Sequence, residues 1–227
     1  MRIICLSHPL SENTPLYPGT PKPEISKFRS IEKGDSANSS NISVNVHTGT
    51  HIDLPLHFCK DGASLSDYPE SEFLFYPTYC IDIKKNGCEP VLPGDFADLK
   101  DSGRDAEAIL VRTGSGDVRE NNNEYERDHP WVHPSLPGYL KEKFPRLKLF
   151  GLDAISISSP NYREEGRESH RRFLCEERHV ILLEDAGLSG LSEKDNPFRL
   201  RIYPCFYGSI DASPVIALAE TVPEDQN

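Results

Sequence analysis

Between residues 42 and 58 apolar and polar side chains alternate with a period of two. Ile42, Val44, Val46, Ile52, Leu54, Leu56 and Phe58 hold even positions, while Ser43, Asn45, His47, His51, Asp53 and His57 hold odd ones. That period belongs to an extended strand, so the pattern predicts a core side and a chemical side separated by parity. A helix would also bring His47 and His51 together at i and i+4, but Gly49, two threonines and Pro55 are poor helix-interior residues. A straight strand fails for another reason: at about 3.3 Å per residue, His47 and Asp53 would lie about 20 Å apart. Ligands of one zinc-like ion each sit about 2.0 to 2.2 Å from it, so the chain is expected to curl. Gly49 can take the dihedrals a curl requires, and Pro55 stiffens the exit toward His57.

Elsewhere, short apolar runs bounded by Pro and Gly predict strands at residues 3–6, 75–83, 108–112, 147–157, 180–184 and 199–206, beside the one at 42–46. Helical patterning is sparser, over residues 137–143 and around 169–175. Together these predict a strand-rich α/β domain, with no repeat at solenoid or propeller periods. Residues 114–132 are polar, Asn-rich and charged up to Trp131 and Val132, and read as a long surface loop that could serve as a lid. Residues 31–40 read as a solvated linker.

Composition narrows the function classes. The chain of 227 residues, 37% hydrophobic, fits one domain spanning 1–227 with an adequate core under a charged surface. The 36 acidic residues outnumber 25 basic ones, for a net charge of -11, which argues against a nucleic-acid partner. No run approaches the roughly 20 apolar residues that span a bilayer, and the start lacks a basic region followed by an apolar stretch. A soluble cytoplasmic protein without a membrane partner is expected. Cys5, Cys59, Cys80, Cys88, Cys175 and Cys205 show no CxxC spacing and are expected to be reduced thiols. Cys59 follows His57 by two and could reach the site face, although a structural role is the simpler expectation.

The chemistry lies in the alternating stretch. Three imidazoles and a carboxylate so close together need hydrogen-bonding partners wherever they are buried, and a divalent metal site explains them most simply. His47, His51 and Asp53 would supply two imidazoles and a carboxylate while leaving positions open for water, as catalytic sites require. A serine route has no support, because GLSGL at 187–191 lacks the final glycine of a nucleophile elbow.

The string HTGTHIDLPLHF at 47–58 resembles the signature of the cyclase family of metal-dependent hydrolases, which includes bacterial kynurenine formamidase and isatin hydrolase. The resemblance extends to LSHPLSENTPLYPGTP near the start, ILVRTG at 109–114, LFGLDAISIS at 149–158, SHRRFL at 169–174, ILLEDAGLSGL at 181–191 and DASPVIALA at 211–219, in the family's order. It implies a swivelling β/β/α domain with a barrel-like mixed sheet and the site at its mouth. It also implies that Asp53 bridges to a second ion completed by His170 and Glu184, that His57 is the catalytic histidine, and that Tyr17 packs on substrate. Tyr17 is a departure, since kynurenine formamidases typically carry Trp there.

The second carboxylate, Glu184, favours two ions over one. Imidazole and carboxylate ligands suit Zn2+, the first choice, and also Mn2+. An imidazole titrates near neutral pH, which suits His57 to acid/base work; a ligand role is the alternative. The expected reaction is metal-assisted hydrolysis of an amide-type bond, with N-formylkynurenine converted to kynurenine and formate. Ring opening of a cyclic amide such as isatin is the alternative. A protein with purely structural ions is a third possibility, opposed by the presence of His57 beyond a complete ligand set. The resemblance also implies a homodimer or homotetramer.

Overall fold

A computed structural model describes residues 1–97, 103–205 and 208–221. Its strands are β1 (Arg2–Cys5), β2 (Glu24–Arg29), β3 (Ser39–Ser43), β4 (His51–Asp53), β5 (Leu74–Asp82), β6 (Pro90–Val91), β7 (Ala108–Arg112), β8 (Trp131–Val132), β9 (Leu149–Leu152), β10 (Ile181–Glu184), β11 (Phe198–Pro204) and β12 (Ala212–Thr221). Three α-helices accompany them: α1 (Asn122–Arg127), α2 (Leu136–Lys143) and α3 (Arg163–Leu174).

The short strand β4 closes the main sheet. It pairs antiparallel with both β10 and β12, joining β12, β11, β5, β7, β9, β10 and β4 into a ring, with β1 appended to β12. The β5–β7–β9–β10 run is parallel and the remainder antiparallel, so this is a mixed barrel of the strand-rich α/β class expected from the sequence. Parity divides its strands between two cores. Ile52, Leu110, Leu149, Leu183, Leu200 and Ala217 converge inside the barrel. Ile109, Val111, Phe150 and Leu182 face outward and pack against Leu140 of α2 and Phe173 of α3. Because Leu182 stands opposite Asp53, and Glu184 opposite His51, the polar side chains of β4 and β10 share the outward face. The cluster therefore lies on the outside of the barrel, between β4 and α3, rather than within its mouth.

Several expectations need correction. Residues 24–43 form a separate hairpin, β2 with β3, whose residues are exposed throughout both strands; Ile42 is thus 64% exposed instead of core-facing. Residues 31–40 are solvated as expected, but as the turn of that hairpin and the first residues of β3. The long strand foreseen at 147–157 stops at Leu152. There the Asp153 carboxylate accepts the Thr113 hydroxyl and the backbone N–H groups of Thr113, Gly114 and Gly116, and turns the chain away. The end of the strand foreseen at 199–206 lies outside the described residues, and β12 was not among the strands foreseen. Residues 114–132 are not a surface loop. They hold a 3-10 turn, α1 and β8, with Tyr125 fully buried and the Trp131 indole donating to the Cys88 carbonyl at 2.8 Å.

Not all cysteines are reduced thiols. Cys59 and Cys175 form a disulfide, their Cα atoms 5.6 Å apart, while Cys5, Cys80, Cys88 and Cys205 are free. The bridge joins the turn after His57 to the end of α3, so Cys59 is a structural clamp and not a ligand. No helix among the described residues is long and apolar enough to cross a membrane.

Candidate metal centre

The curl foreseen between His47 and Asp53 is present. Residues 47–50 turn, with Gly49 at φ 69°, before β4 begins at His51. The ring of His51 folds back so that its Nδ1–H donates to the Gly49 carbonyl at 2.8 Å, which leaves Nε2 facing the cluster. His170 is set the same way: its Nδ1–H donates to the Gly166 carbonyl one turn earlier, at 2.8 Å. A Cβ on Gly166 would collide with Ser158, so glycine is what lets α3 approach this closely.

Glu184 ends β10. The Ser156 hydroxyl and the Ile157 N–H donate to its Oε1 at 3.0 and 2.7 Å. The following residue, Asp185, sits at φ 52°, a left-handed conformation that costs a non-glycine residue energy. It is held there by both guanidinium contacts of Arg119, at 2.7 Å each, and by the Tyr125 hydroxyl. The 114–132 segment is thus the brace behind Glu184.

The donor atoms meet at ligand spacing. Asp53 Oδ1 is 2.8 Å from His47 Nδ1 and 3.4 Å from His51 Nε2, while Asp53 Oδ2 is 3.6 Å from His170 Nε2. Glu184 reaches His51 with Oε2 and His170 with Oε1, both at 3.5 Å. Two donors about 2.1 Å from one ion at a tetrahedral angle stand about 3.4 Å apart. His51 Nε2 and Asp53 Oδ2 are also buried without a hydrogen-bond partner. Orphaned polar atoms of this kind are costly in a folded interior, and a cation among them satisfies both. The residues present therefore fit a divalent metal.

Without a cation, protons balance the carboxylates. Burial opposes charge on His47, but Asp53 and Asp211 outweigh it and push this imidazole up to about 10. His170 is likewise disfavoured by burial, yet the Asp53 and Glu184 carboxylates facing it push it up to about 9. His51 is raised by the same contest, and Asp53, despite complete burial, is held well below the usual carboxylate range by His47, His170 and His51.

His57 follows Pro55 in a single 3-10 turn, its ring centroid 4.0 Å from that of His47. Its partner, Asp211, opens the DASPVIALA segment but was not singled out as a site residue. Asp211 Oδ2 lies 3.1 Å from His57 Nδ1 and 2.9 Å from His47 Nε2. A lone aspartate ahead of a strand carries no periodicity; it arrives here because β12 pairs with β4, placing Ala212 opposite Asp53. His47, His57 and Asp211 are partly open to solvent, whereas His51, Asp53, His170 and Glu184 are buried. On the open side lies a cavity of about 450 Å³, lined also by Tyr17, Phe58, Ile155 and Ser158. All seven site residues expected from the sequence thus border one cavity.

Residues 4–159 match the sequence profile of the family described as "Putative cyclase". The chain belongs to that family. Kynurenine formamidase of Bacillus anthracis is 28% identical over 220 residues, spanning 96% of this chain and 97% of its own. The Bacillus cereus protein of that name is equally similar over the same span. Among solved structures, isatin hydrolase A from Labrenzia aggregata superposes with a TM-score of 0.80 at 23% identity, covering 96% of this chain and 93% of its own. An isatin hydrolase bound to the product analogue thioisatinate gives 0.79 at 20% identity, over 98% and 92% of the two chains. The cyclase-family fold thus extends across the chain.

Proposed function

We propose that this cyclase-family protein is a metal-dependent amidohydrolase that cleaves N-formylkynurenine to kynurenine and formate. The observation that carries the proposal is a converging donor set with two orphaned buried atoms, beside an additional histidine oriented by its own carboxylate. The nearly full-length similarity to kynurenine formamidases supports the formamide substrate.

His47, His51, Asp53, His170 and Glu184 would hold the metal. When bound, a divalent ion would supply Lewis acidity that lowers the pKa of a water to about 7. Asp53 supports a pair of ions, since Oδ1 faces His47 and His51 while Oδ2 faces His170; zinc is the first candidate and manganese the second. His57, with Nδ1 turned to Asp211, presents Nε2 to the cavity. There it takes the proton of the attacking water and returns it to the leaving nitrogen, so that amide and water become carboxylate and amine. Tyr17, Phe58 and Ile155 supply an apolar wall for an aryl group.

The second reading, opening of isatin or a related cyclic amide, is favoured by Tyr17 standing where the formamidases typically carry Trp. A homodimer or homotetramer is supported by the β2–β3 hairpin. Isolated two-stranded hairpins are marginal in water, and this one exposes Ile25, Phe28, Ile31 and Ile42, a surface suited to a second copy. A cytoplasmic location remains the expectation from the sequence, and the Cys59–Cys175 disulfide favours a more oxidising compartment instead.

The deciding experiment follows N-formylkynurenine hydrolysis optically, with zinc- or manganese-loaded protein, chelated protein and His57→Ala compared. Metal-dependent turnover lost in the variant supports the formamidase reading. Full metal occupancy without turnover, together with turnover of isatin, replaces it with the second.

A further inference from the structure

His170 is not alone on its side of α3. Arg163 and Arg167 precede it by seven and three residues, and the spacing i, i+4, i+7 sets all three on one stripe of the helix. The cavity confirms the stripe, because both arginines line the same space as His170 and His57. Their Cα positions lie about 10 Å and about 4.5 Å along the axis from His170, at 1.5 Å rise per residue. Helical side chains lean toward the N-terminus, so both guanidinium groups are carried away from the donor cluster, toward the far end of the cavity.

The charge context makes these residues unusual. The chain carries -11 overall, and the cavity's acidic side chains are Asp53 and Glu184, within the donor cluster. Arg167 pairs with Glu164 on an exposed part of the helix at 2.7 Å, while Arg163 makes no ion pair among the described residues. Glu165, in the same turn, does not line the cavity. A free guanidinium with five donors suits a carboxylate, which it can bind through two parallel hydrogen bonds.

The geometry points to a carboxylate subsite formed by Arg163 and Arg167. The substrate class is then an aryl amide with a free carboxylate remote from the scissile bond: the amide lies at His57 and the donor cluster, the ring against Tyr17 and Phe58, and the carboxylate at the arginines. This rests on the amidohydrolase reading above and adds the group that selects among such amides.

The test compares two formamides with the same scissile group, 4-(2-formamidophenyl)-4-oxobutanoate and the uncharged 2'-formamidoacetophenone, together with binding of the unreactive acid 4-oxo-4-phenylbutanoate by calorimetry. Wild-type metal-loaded protein is expected to prefer the acid in kcat/KM by about tenfold, chiefly through KM. In R163Q/R167Q that preference should fall to near unity and the binding of 4-oxo-4-phenylbutanoate should weaken about tenfold. R163K/R167K should restore part of both, which general damage to the fold would not allow. Equal preference and equal binding in wild type and R163Q/R167Q would overturn the subsite. If neither formamide is hydrolysed, the formamidase reading fails, while the binding comparison still decides the role of the arginines.

Discussion

Oδ2 of Asp211 lies 3.1 Å from Nδ1 of His57. The same oxygen is 2.9 Å from Nε2 of His47, so one carboxylate holds the orientation of both rings. Outer partners of this kind commonly change metal affinity or activity by about 10- to 100-fold when removed. Asp211→Ala is expected to lower both kcat and metal affinity within that range, and Asp211→Asn, which keeps an acceptor oxygen, to lose less. Steady-state kinetics and a competitive metal titration measure the two effects. An Asp211→Ala protein with unaltered kcat and affinity would remove Asp211 from the machinery.

His57→Ala separates acid/base work from ligation. His57 lies close enough to Asp53 and His170, and to His47 and Asp211, to be a metal ligand on distance alone. A general acid/base contributes about 10²- to 10⁴-fold, so turnover should fall by that factor with metal content nearly intact by elemental analysis. Loss of metal alongside activity would make His57 a ligand.

Asp53 touches three imidazoles with its two oxygens. Replacing it with Ala should therefore empty the whole donor set rather than half of it. Elemental analysis of Asp53→Ala is expected to show essentially no bound metal, against two ions per chain in the parent. Full stoichiometry in the variant would sink the bridging role.

What the sequence revealed, and what it concealed, follows from the range of each interaction. His51, Asp53 and the buried Ile52 and Leu54 obey a local period, and the curl at Gly49 follows from the short reach allowed between ligands. Ile42 breaks the pattern because the alternating stretch spans two structures, the exposed hairpin and the barrel. His170 and Glu184 have no local signature, and were reached only through resemblance. They meet His51 and Asp53 because β10 pairs with β4 and α3 covers both. Asp211 was missed for the same reason, its contacts depending on the β12–β4 register. Tyr125, hidden in a polar segment, is fully buried through its bond to Asp185.

The imidazoles give metal uptake a defined pH dependence. With His47 at about 10 and His170 at about 9, the metal-free cluster is protonated at neutral pH. Metal must displace those protons, so affinity should rise with pH across the neutral range. Calorimetry in buffers of different ionisation enthalpy should register proton release at pH 7.5. The chelated protein behaves oppositely. Imidazoles raised above their unfolded value of 6.5 stabilise the fold fully below pH 6.5, and lose that contribution as pH rises through about 9 to 10. Its Tm should fall over this window, and the advantage of metal-loaded protein should widen. A chelated Tm that rises from pH 6.5 to 10 would contradict the assigned protonation.

The Cys59–Cys175 bridge fixes the turn after His57 to the helix bearing His170, across a sequence separation of 116 residues. Phe58 lies between the bridge and the site, stacked on His170 with ring centroids 4.6 Å apart. A disulfide typically stabilises a fold by about 2 to 4 kcal/mol. For a domain of this size that corresponds to roughly 4 to 16 °C in Tm. Cys175→Ser, whose altered side chain is exposed and outside the cavity lining, is expected to melt lower by that amount, as is wild type under reductant. Reductant should then leave the Tm of Cys175→Ser unchanged. If reductant lowers the melting of both proteins equally, the stabilising bridge lies elsewhere and the clamp is absent in solution.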